Sequence, residues 1–151
     1  MTSTQCVHGT AIVFGKNGVL IRGRPGAGKS TLALCLIDAP GFGIGNRLMR
    51  AKLIADDQVE LALEEKAIRL SAPKNLAGLL EVRGHGLIKI PFAKSATLSL
   101  VVDLLPTGKI ERMPEEQGQF TKILGRQIPR LTLPIADPAA PSRLRAVLRG
   151  L

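Results

Sequence analysis

The stretch Gly18-Val19-Leu20-Ile21-Arg22-Gly23-Arg24-Pro25-Gly26-Ala27-Gly28-Lys29-Ser30-Thr31-Leu32-Ala33-Leu34-Cys35-Leu36-Ile37 decides how this chain is read. Its central octet, Gly23 to Ser30, is a full match to G-x-x-x-x-G-K-[ST]. Such a loop wraps backbone N–H groups around the phosphates of a nucleotide, and its glycines let the backbone curl and approach without Cβ clashes. Lys29 reaches toward the terminal phosphates, and the Ser30 hydroxyl is placed to hold Mg²⁺. Context separates such a loop from a glycine-rich turn that merely precedes a helix. Gly18–Arg22 reads as a short buried strand, and Thr31–Ile37 as an apolar helix whose N-terminus faces the phosphates. Strand, loop and helix stand in the required order. The binding residues expected are Gly23, Arg24, Pro25, Gly26, Ala27, Gly28, Lys29, Ser30 and Thr31.

Composition narrows the remaining choices. With 151 residues, 45% hydrophobic and 22% charged, the chain suits one globular domain able to bury a proper core. There are four Phe and no Trp or Tyr. That scarcity argues against single-stranded nucleic-acid binding, which stacks bases on aromatic rings. The net charge of +9 arises from 21 Lys+Arg against 12 Asp+Glu, with no basic run of five or more. A phosphate-handling protein with an acidic partner accounts for it as well as nucleic acid does. Cys6 and Cys35 form no CxxC pair, and Cys35, inside the apolar helix, is expected as a buried reduced thiol. No apolar run approaches the about 20 residues that span a bilayer. The start, Met1-Thr2-Ser3-Thr4-Gln5, carries no basic region ahead of an apolar stretch. A cytoplasmic protein without a membrane segment is expected.

Along the chain, residues 6–14 read as one strand, and Gly15-Lys16-Asn17-Gly18 as a tight turn using the Asn-Gly pair. Residues 39–46 form a glycine-punctuated connection that does not match G-x-G-x-x-G. Lys52–Ala55 is a short apolar strand ending in Asp56-Asp57. Val59–Leu63 and Ala67–Leu70 pair across the polar turn 64–66, and residues 71–79 make a loop with a helical turn. Leu80–Arg83 is strand-like, broken by Gly84-His85-Gly86 and resumed at Leu87–Ile90. Ala96–Leu105 suits a core strand, and residues 106–120 an exposed, mobile loop. Residues 122–125, 127–129 and 131–135 read as short edge segments bounded by Pro. Ser142 stands as a cap for a short basic helix over Arg143–Leu151. Strands outnumber helices, there is no internal repeat, and the order is not the alternating βαβ of a typical P-loop NTPase.

Phosphoryl transfer needs charge neutralisation, in-line positioning and a group that takes the nucleophile's proton. Asp56 and Asp57 suit the last two needs. Neighbouring strand residues point opposite ways, so only at a strand end can both carboxylates serve one site. Two carboxylates beside a polyphosphate repel, which favours one acting as acid or base. The alternative is that Asp-Asp only starts a turn. Glu81, in an otherwise apolar strand, is costly to bury without a cation. Mg²⁺ shared with Ser30 would satisfy it, as would a plain ion pair with Arg83, two positions on. His8, in an apolar strand, reads as a satisfied core histidine, and His85, between glycines, as exposed.

Several segments together resemble the catalytic domain of HPr kinase/phosphorylase. They are Val7-His8-Gly9, the Gly23–Ser30 loop, Leu53-Ile54-Ala55-Asp56-Asp57 and Glu81-Val82-Arg83-Gly84-His85-Gly86-Leu87-Ile88, the last matching that family's E-[IV]-R-G-x-G-[LI]-I. Ile123-Leu124 and Ile128–Ile135 are similar to the family's stretch ending in T-[IL]-P-[VI]. The resemblance covers about residues 6–135. It implies an α/β fold of the phosphoenolpyruvate carboxykinase type, a mixed sheet around the P-loop and its helix, usually in a hexamer. It implies phosphorylation of a serine of HPr, the phosphocarrier of the sugar phosphotransferase system, from ATP or pyrophosphate with Mg²⁺, and the reverse phosphorolysis. By the resemblance Lys29 and Ser30 are the phosphate and Mg²⁺ residues. Asp57 is the acid/base with Asp56 its neighbour, Glu81 a second metal ligand, and His8 an active-site residue. Glu111-Arg112, opposite the family's D-R-x-G, makes Arg112 the catalytic arginine.

The departures set further expectations. The match begins near residue 6, so the expectation is a short form consisting of the C-terminal catalytic domain. The family's P-V-R-P-G-R-N continuation is replaced by Ala136-Asp137-Pro138-Ala139-Ala140-Pro141, which puts phosphorolysis in question. The fuller forms' long C-terminal helices are cut short, which does the same for the hexamer. The expected activity is thus an ATP- and Mg²⁺-dependent serine kinase for an HPr-type carrier. An ATP-sensing module without chemistry and a small-molecule kinase are the rival readings.

Overall fold

Strands whose two faces are both covered must be apolar at nearly every position, and the runs Ala11–Phe14, Val19–Ile21 and Leu98–Leu105 meet that demand. The computed structural model describes residues 3–151 and builds these runs into the centre of a mixed sheet. In chain order the strands are β1 (Thr4–His8), β2 (Thr10–Phe14), β3 (Asn17–Arg22), β4 (Lys52–Ala55), β5 (Gln58–Glu64) and β6 (Ala67–Ser71). They continue with β7 (Leu79–Val82), β8 (Gly86–Lys89), β9 (Ser95–Leu105), β10 (Phe120–Ile123) and β11 (Arg126–Pro134). The helices are α1 (Lys29–Asp38) and α2 (Ala140–Leu148). The first two residues of the N-terminal stretch, Met1 and Thr2, lie outside the described residues.

β9 is the hub. One of its edges pairs in parallel with β3, Asn17 opposite Thr97 through Arg22 opposite Asp103. Its other edge is divided: β6 takes residues 95–97 antiparallel, and β11 takes residues 101–105 in parallel. From this centre the order runs β1-β5-β6-β9-β3-β2-β4, while β7 and β8 form a separate hairpin. Within β9 a register shift leaves Ser99 without an opposite residue on β3, since Gly18 faces Leu98 and Val19 faces Leu100. Such a bulge flips the alternation. Leu98 therefore packs on one face with Leu20 and Val101, while Leu100, Val102 and Leu104 pack on the other with α1 and α2.

The parallel trio β3, β9 and β11 ends on one side, at Arg22, Leu105 and Pro134, and the P-loop leaves β3 at that end. Parallel sheets bind ligands just beyond their carboxyl ends. At the same end the buried carboxylate of Asp103 is clamped by two arginines. Arg22 Nε and Nη2 donate to it at 2.7 and 2.8 Å, and Arg130 Nε at 2.5 Å. Arg130 also reaches the carbonyl of Gly118 at 3.5 Å, tying the long 106–119 connection to the sheet.

Several expectations change in detail. Residues 6–14 form two strands, split at Gly9, where a Cβ would come within 2.9 Å of the Ile21 carbonyl oxygen. The turn of the first hairpin is Gly15-Lys16, with Phe14 opposite Asn17. Gly15 has φ +60 and Lys16 does not have positive φ, the pattern of a type II′ turn, so Asn17-Gly18 lies in the strand. The segments 127–129 and 131–135 join into β11, which pairs with β10 as far as Pro129 and with β9 from Arg130. The proline, lacking an N–H, stands where the strand changes neighbours. α2 starts at Ala140 rather than after Ser142, because Asp137 Oδ1 accepts the Ala139 N–H at 3.0 Å and opens the helix earlier. Cys35 is exposed: the inward stripe of α1 is Lys29, Leu32, Ala33 and Leu36, and position 35 falls outside it. Residues 106–119 are a mostly exposed connection with short 3-10 turns at Thr107–Lys109 and Glu116–Gln119. Among the described residues no helix is long and apolar enough to cross a membrane.

Burial alone would push the Asp103 carboxyl up, but the hydrogen bonds and charges of Arg22 and Arg130 outweigh it and hold the group below its ordinary value. A carboxylate depressed in the fold stabilises it above the unfolded pKa of about 3.9, and that stability is lost as pH falls through the lower folded value. Asp103→Ala should cost about 3 kcal/mol at neutral pH, since two arginines lose their partner. In urea unfolding, the gap between parent and variant should shrink below about pH 4. A gap that is constant with pH would show that the clamp is not electrostatic.

Candidate active site

The loop leaving β3 closes on itself through the Ala27 N–H to the Arg24 carbonyl at 3.0 Å. It enters α1 through Gly28 at φ +98, a conformation that excludes a β-carbon at little cost only in glycine. Lys29, the first helical residue, is buried and donates to the carbonyls of Gly23 and Arg24 at 2.8 and 3.1 Å. Burial lowers its ammonium pKa, while the charges of Asp56, Asp57 and Glu81 act in the opposite direction. The lysine is thus parked on its own loop, close to three carboxylates.

A cavity of about 300 Å³ opens over this loop. Pro25, Gly26, Gly28, Lys29, Ser30 and Thr31 line one side of it; His8, Asp56, Asp57, Glu81 and Arg83 line the other. Four separate pieces of chain meet here: the end of β1, the P-loop with α1, the turn after β4, and β7 with the residue that follows it.

The two aspartates take different parts. Asp56 is only 5% exposed. Its Oδ1 accepts from Thr10 Oγ1 at 2.8 Å and from Ser30 Oγ at 2.8 Å; its Oδ2 lies 2.9 Å from both Ser30 Oγ and the Glu81 backbone N–H. Asp57 stands at the rim. Its side chain is 64% exposed, and Oδ1 lies 3.5 Å from Nδ1 of His8, itself 51% exposed. The turn that parts the two side chains puts Asp57 at φ +72, a conformation aspartate tolerates better than most L-residues. The Asp57 carbonyl accepts the Gly9 N–H at 3.1 Å, which brings the end of β1 to the site.

His8, Lys29, Ser30, Asp56, Asp57 and Glu81 are therefore together. His8 is not a core histidine: β1 ends at the cavity edge and its side chain faces Asp57. Glu81 is exposed on the cavity wall rather than buried, and it forms no ion pair with Arg83 among the described residues. His85 is exposed. Arg112 lies on the exposed 106–119 connection and does not line the cavity. Two contributors escaped the sequence reading. Thr10 is fully buried and braces Asp56, but a threonine at a strand start carries no signal of such a role. Arg83 was legible only as a partner for Glu81, yet it lines the cavity over the P-loop.

No group of three or more His, Cys, Asp or Glu suited to a metal occurs among the described residues. Beside the His8 imidazole, what the cavity offers is oxygen: a serine hydroxyl aligned by Asp56, and the carboxylates. That donor set suits Mg²⁺, which is commonly held by one or two protein oxygens with water and substrate phosphates.

The profile of the HPr Serine kinase C-terminal domain matches residues 1–147. The chain belongs to that family. It is 37% identical over 146 residues to the HPr kinase/phosphorylase of Geobacillus thermodenitrificans, covering 89% of this chain and 44% of that protein. To the HPr kinase/phosphorylase of Burkholderia lata it is 37% identical over 140 residues, 86% of this chain and 40% of the other. It thus spans less than half the length of these relatives. The fold is similar to that of the Hpr(Ser) kinase/phosphatase from Coxiella burnetii, with a TM-score of 0.79 at 26% identity, covering 97% of this chain and 89% of that one.

The bracing role of Asp56 separates the two carboxylates by stability. Asp56→Ala should cost about 2–3 kcal/mol, because it leaves the buried Thr10 hydroxyl and the Glu81 N–H without an acceptor. Asp57→Asn should stay within about 0.5 kcal/mol, since asparagine tolerates the same backbone conformation and the side chain is exposed. Denaturant titration of both variants measures this; equal losses would contradict the division of roles.

Proposed function

We propose that this chain is the catalytic unit of a Mg²⁺-dependent protein serine kinase that uses ATP and acts on an HPr-type phosphocarrier. The observation that carries the reading is the split of Asp56 and Asp57 within one P-loop cavity: one carboxylate is fixed against Ser30, the other stands free at the rim beside His8. Membership of the HPr serine kinase family and the curated relatives' names support the choice of carrier and nucleotide.

On this reading, the P-loop N–H groups receive the phosphates, and Lys29 leaves the Gly23 and Arg24 carbonyls to neutralise them. Ser30 and Glu81 would hold Mg²⁺, with Asp56 orienting the Ser30 hydroxyl; bound there, the cation would offset phosphate charge. Asp57 accepts the proton of the carrier's serine hydroxyl as that oxygen bonds to the γ-phosphorus and ADP departs. His8 orients Asp57. Arg112, whose role rests on the resemblance of Glu111-Arg112 to the family pattern, would act from the 106–119 connection.

The direct test is transfer of labelled phosphate from ATP to an HPr-type protein with Mg²⁺. Lys29→Ala should abolish transfer and strongly weaken ATP binding. Asp57→Asn should lower kcat about 10²–10⁴-fold with ATP affinity unchanged, as expected for loss of a general base. Glu81→Gln should instead raise the Mg²⁺ needed for half-maximal rate. Identical metal titrations for Glu81→Gln and parent would remove Glu81 from the metal site.

The reaction should run far better toward phosphorylation than toward phosphorolysis. Phosphorolysis requires inorganic phosphate to be held in line with the phosphoserine, and the 136–141 stretch carries no Lys or Arg. The nearest basic residues on α2 are engaged elsewhere: Arg143 Nε lies 3.2 Å from Asp137, and the buried Arg145 donates to the Ala39 carbonyl. Release of pyrophosphate from serine-phosphorylated carrier in excess phosphate measures the reverse rate. A value comparable to the forward rate would overturn this expectation.

A further inference from the structure

Eight large hydrophobic side chains stand exposed among the described residues, and five of them gather on two segments. Phe42, Ile44 and Leu48 belong to the loop after α1; Val147 and Leu151 belong to α2 and the residues that follow it. The two segments pack together. Gly41 and Met49 close the loop with reciprocal N–H to carbonyl bonds of 3.1 and 2.8 Å, and the buried Arg145 holds its start by donating to the Ala39 carbonyl. A Cβ on Gly43 would meet the Arg145 backbone at 2.7 Å, and one on Gly45 the Arg149 Nε at 2.6 Å. Between these two glycines Ile44 is 87% exposed at φ +69, a strained conformation for a β-branched residue. The fold thus holds a strained isoleucine out in water. Charge around it has one sign. Residues 39–50 and 138–151 carry five arginines and no Asp or Glu. Of these, Arg47, Arg50 and Arg149 are exposed and have no ion-pair partner among the described residues.

We infer that this face docks on an anionic lipid bilayer, with Phe42, Ile44 and Leu48 entering the headgroup region and Arg47, Arg50 and Arg149 meeting lipid phosphates. An exposed apolar tip ringed by cations is the pattern of a protein that lies on a membrane rather than spans it. Arginine suits the place. Its apolar stem lies along the inserted side chains, while the planar guanidinium takes phosphate in bidentate fashion. The net charge of +9 adds to the attraction. Shape separates a bilayer from a folded acidic partner. The five apolar side chains line neither the P-loop cavity nor two others, of about 380 and 700 Å³, so they offer no groove to a partner's helix or strand. They protrude, and a fluid bilayer accepts protruding side chains without a matching surface. The P-loop stays free in this pose. α1 runs from Lys29 at the phosphate cavity to Asp38 beside the loop, ten residues, which sets the cavity roughly 15 Å from the lipid contact.

Co-sedimentation with lipid vesicles, in the absence of nucleotide, tests this. The chain should bind vesicles of equal parts phosphatidylglycerol and phosphatidylcholine at least about tenfold more tightly than phosphatidylcholine alone, and added salt should release it. Ile44→Asn should weaken that binding about tenfold. In urea the same variant should be at least as stable as the parent, because asparagine tolerates positive φ. Lost binding with undiminished stability separates lipid contact from a fault in folding. Arg47→Gln combined with Arg149→Gln should weaken binding about thirtyfold. Lys109→Gln combined with Lys122→Gln, the same loss of charge at exposed positions on other elements, should cost less than about threefold. Equal binding to both vesicle types, or parent-like binding by both Ile44→Asn and the arginine pair, overturns the proposal. Binding to neither vesicle, with Ile44-dependent binding to poly-L-glutamate, gives the face to an acidic protein partner and overturns it too. The remaining adverse result is a parent that self-associates without lipid and an Ile44→Asn variant that is monomeric yet binds vesicles as before. A second copy then covers this face, and the lipid assignment fails.

Discussion

Asp56 is a carboxylate withdrawn from water at the meeting point of four elements, and the site is built around satisfying it. An unpaired buried charge is among the most costly features a fold can contain. Among the described residues no cation pairs with it directly; the threonine that starts β2, the serine that follows the P-loop lysine and the backbone of β7 supply the donors. Each donor belongs to a different stretch of chain, so meeting the requirement of one side chain fixes β2, β4, α1 and β7 relative to one another. The consequence is functional as well as structural. A serine hydroxyl whose proton is committed to Asp56 has its lone pairs turned to the cavity, and Asp57, the next residue, is turned the other way.

That arrangement rests on β9. Its bulge at Ser99 lets one strand present Leu98 to one core and Leu100 to the other, and its divided edge lets β6 and β11 use the same strand. With β3, β9 and β11 parallel, three chain ends arrive on one side of the sheet. The P-loop, the Asp103 clamp and the link to α2 are all consequences of that shared direction.

How much of this was legible in the sequence follows from the range of each signal. The octet 23–30, the β4 strand with its terminal aspartates and the β5–β6 hairpin were readable because local backbone chemistry fixes them. Residues that act across the sheet were not. Thr10 is an ordinary threonine until Asp56 is brought beneath it, and Asp103 is an isolated acid in an apolar run until Arg22 and Arg130 arrive from strands 81 and 27 positions away. Composition misled in the same way: the apolar surroundings of His8 and Cys35 suggested burial, but β1 is an edge strand ending at the cavity, and position 35 lies off the inward stripe of α1. Asn17-Gly18 is a strong turn signal, yet Gly15 two residues earlier supplies positive φ at the first turn position, which suits a two-residue hairpin loop equally well.

The balance of charge in the cavity explains why the proposed reaction would need a divalent cation. Lys29 and Arg83 face Asp56, Asp57 and Glu81, so with His8 neutral the protein alone contributes one negative charge more than it neutralises. A nucleoside triphosphate adds several more within a few ångströms, and like charges at that separation cost multiple kcal/mol in a partly dry site. The P-loop amides and Lys29 offset only part of this. Lys29, already poor in solvent and with its pKa lowered by burial, gains most from anionic phosphates, because they replace the two neutral carbonyls it now contacts. The excess of carboxylates is therefore not wasted repulsion. On the proposed reading it would leave room in the cavity's charge balance for Mg²⁺ to enter with the nucleotide, and would keep Asp57, whose side chain is 64% exposed, available as a proton acceptor at the rim.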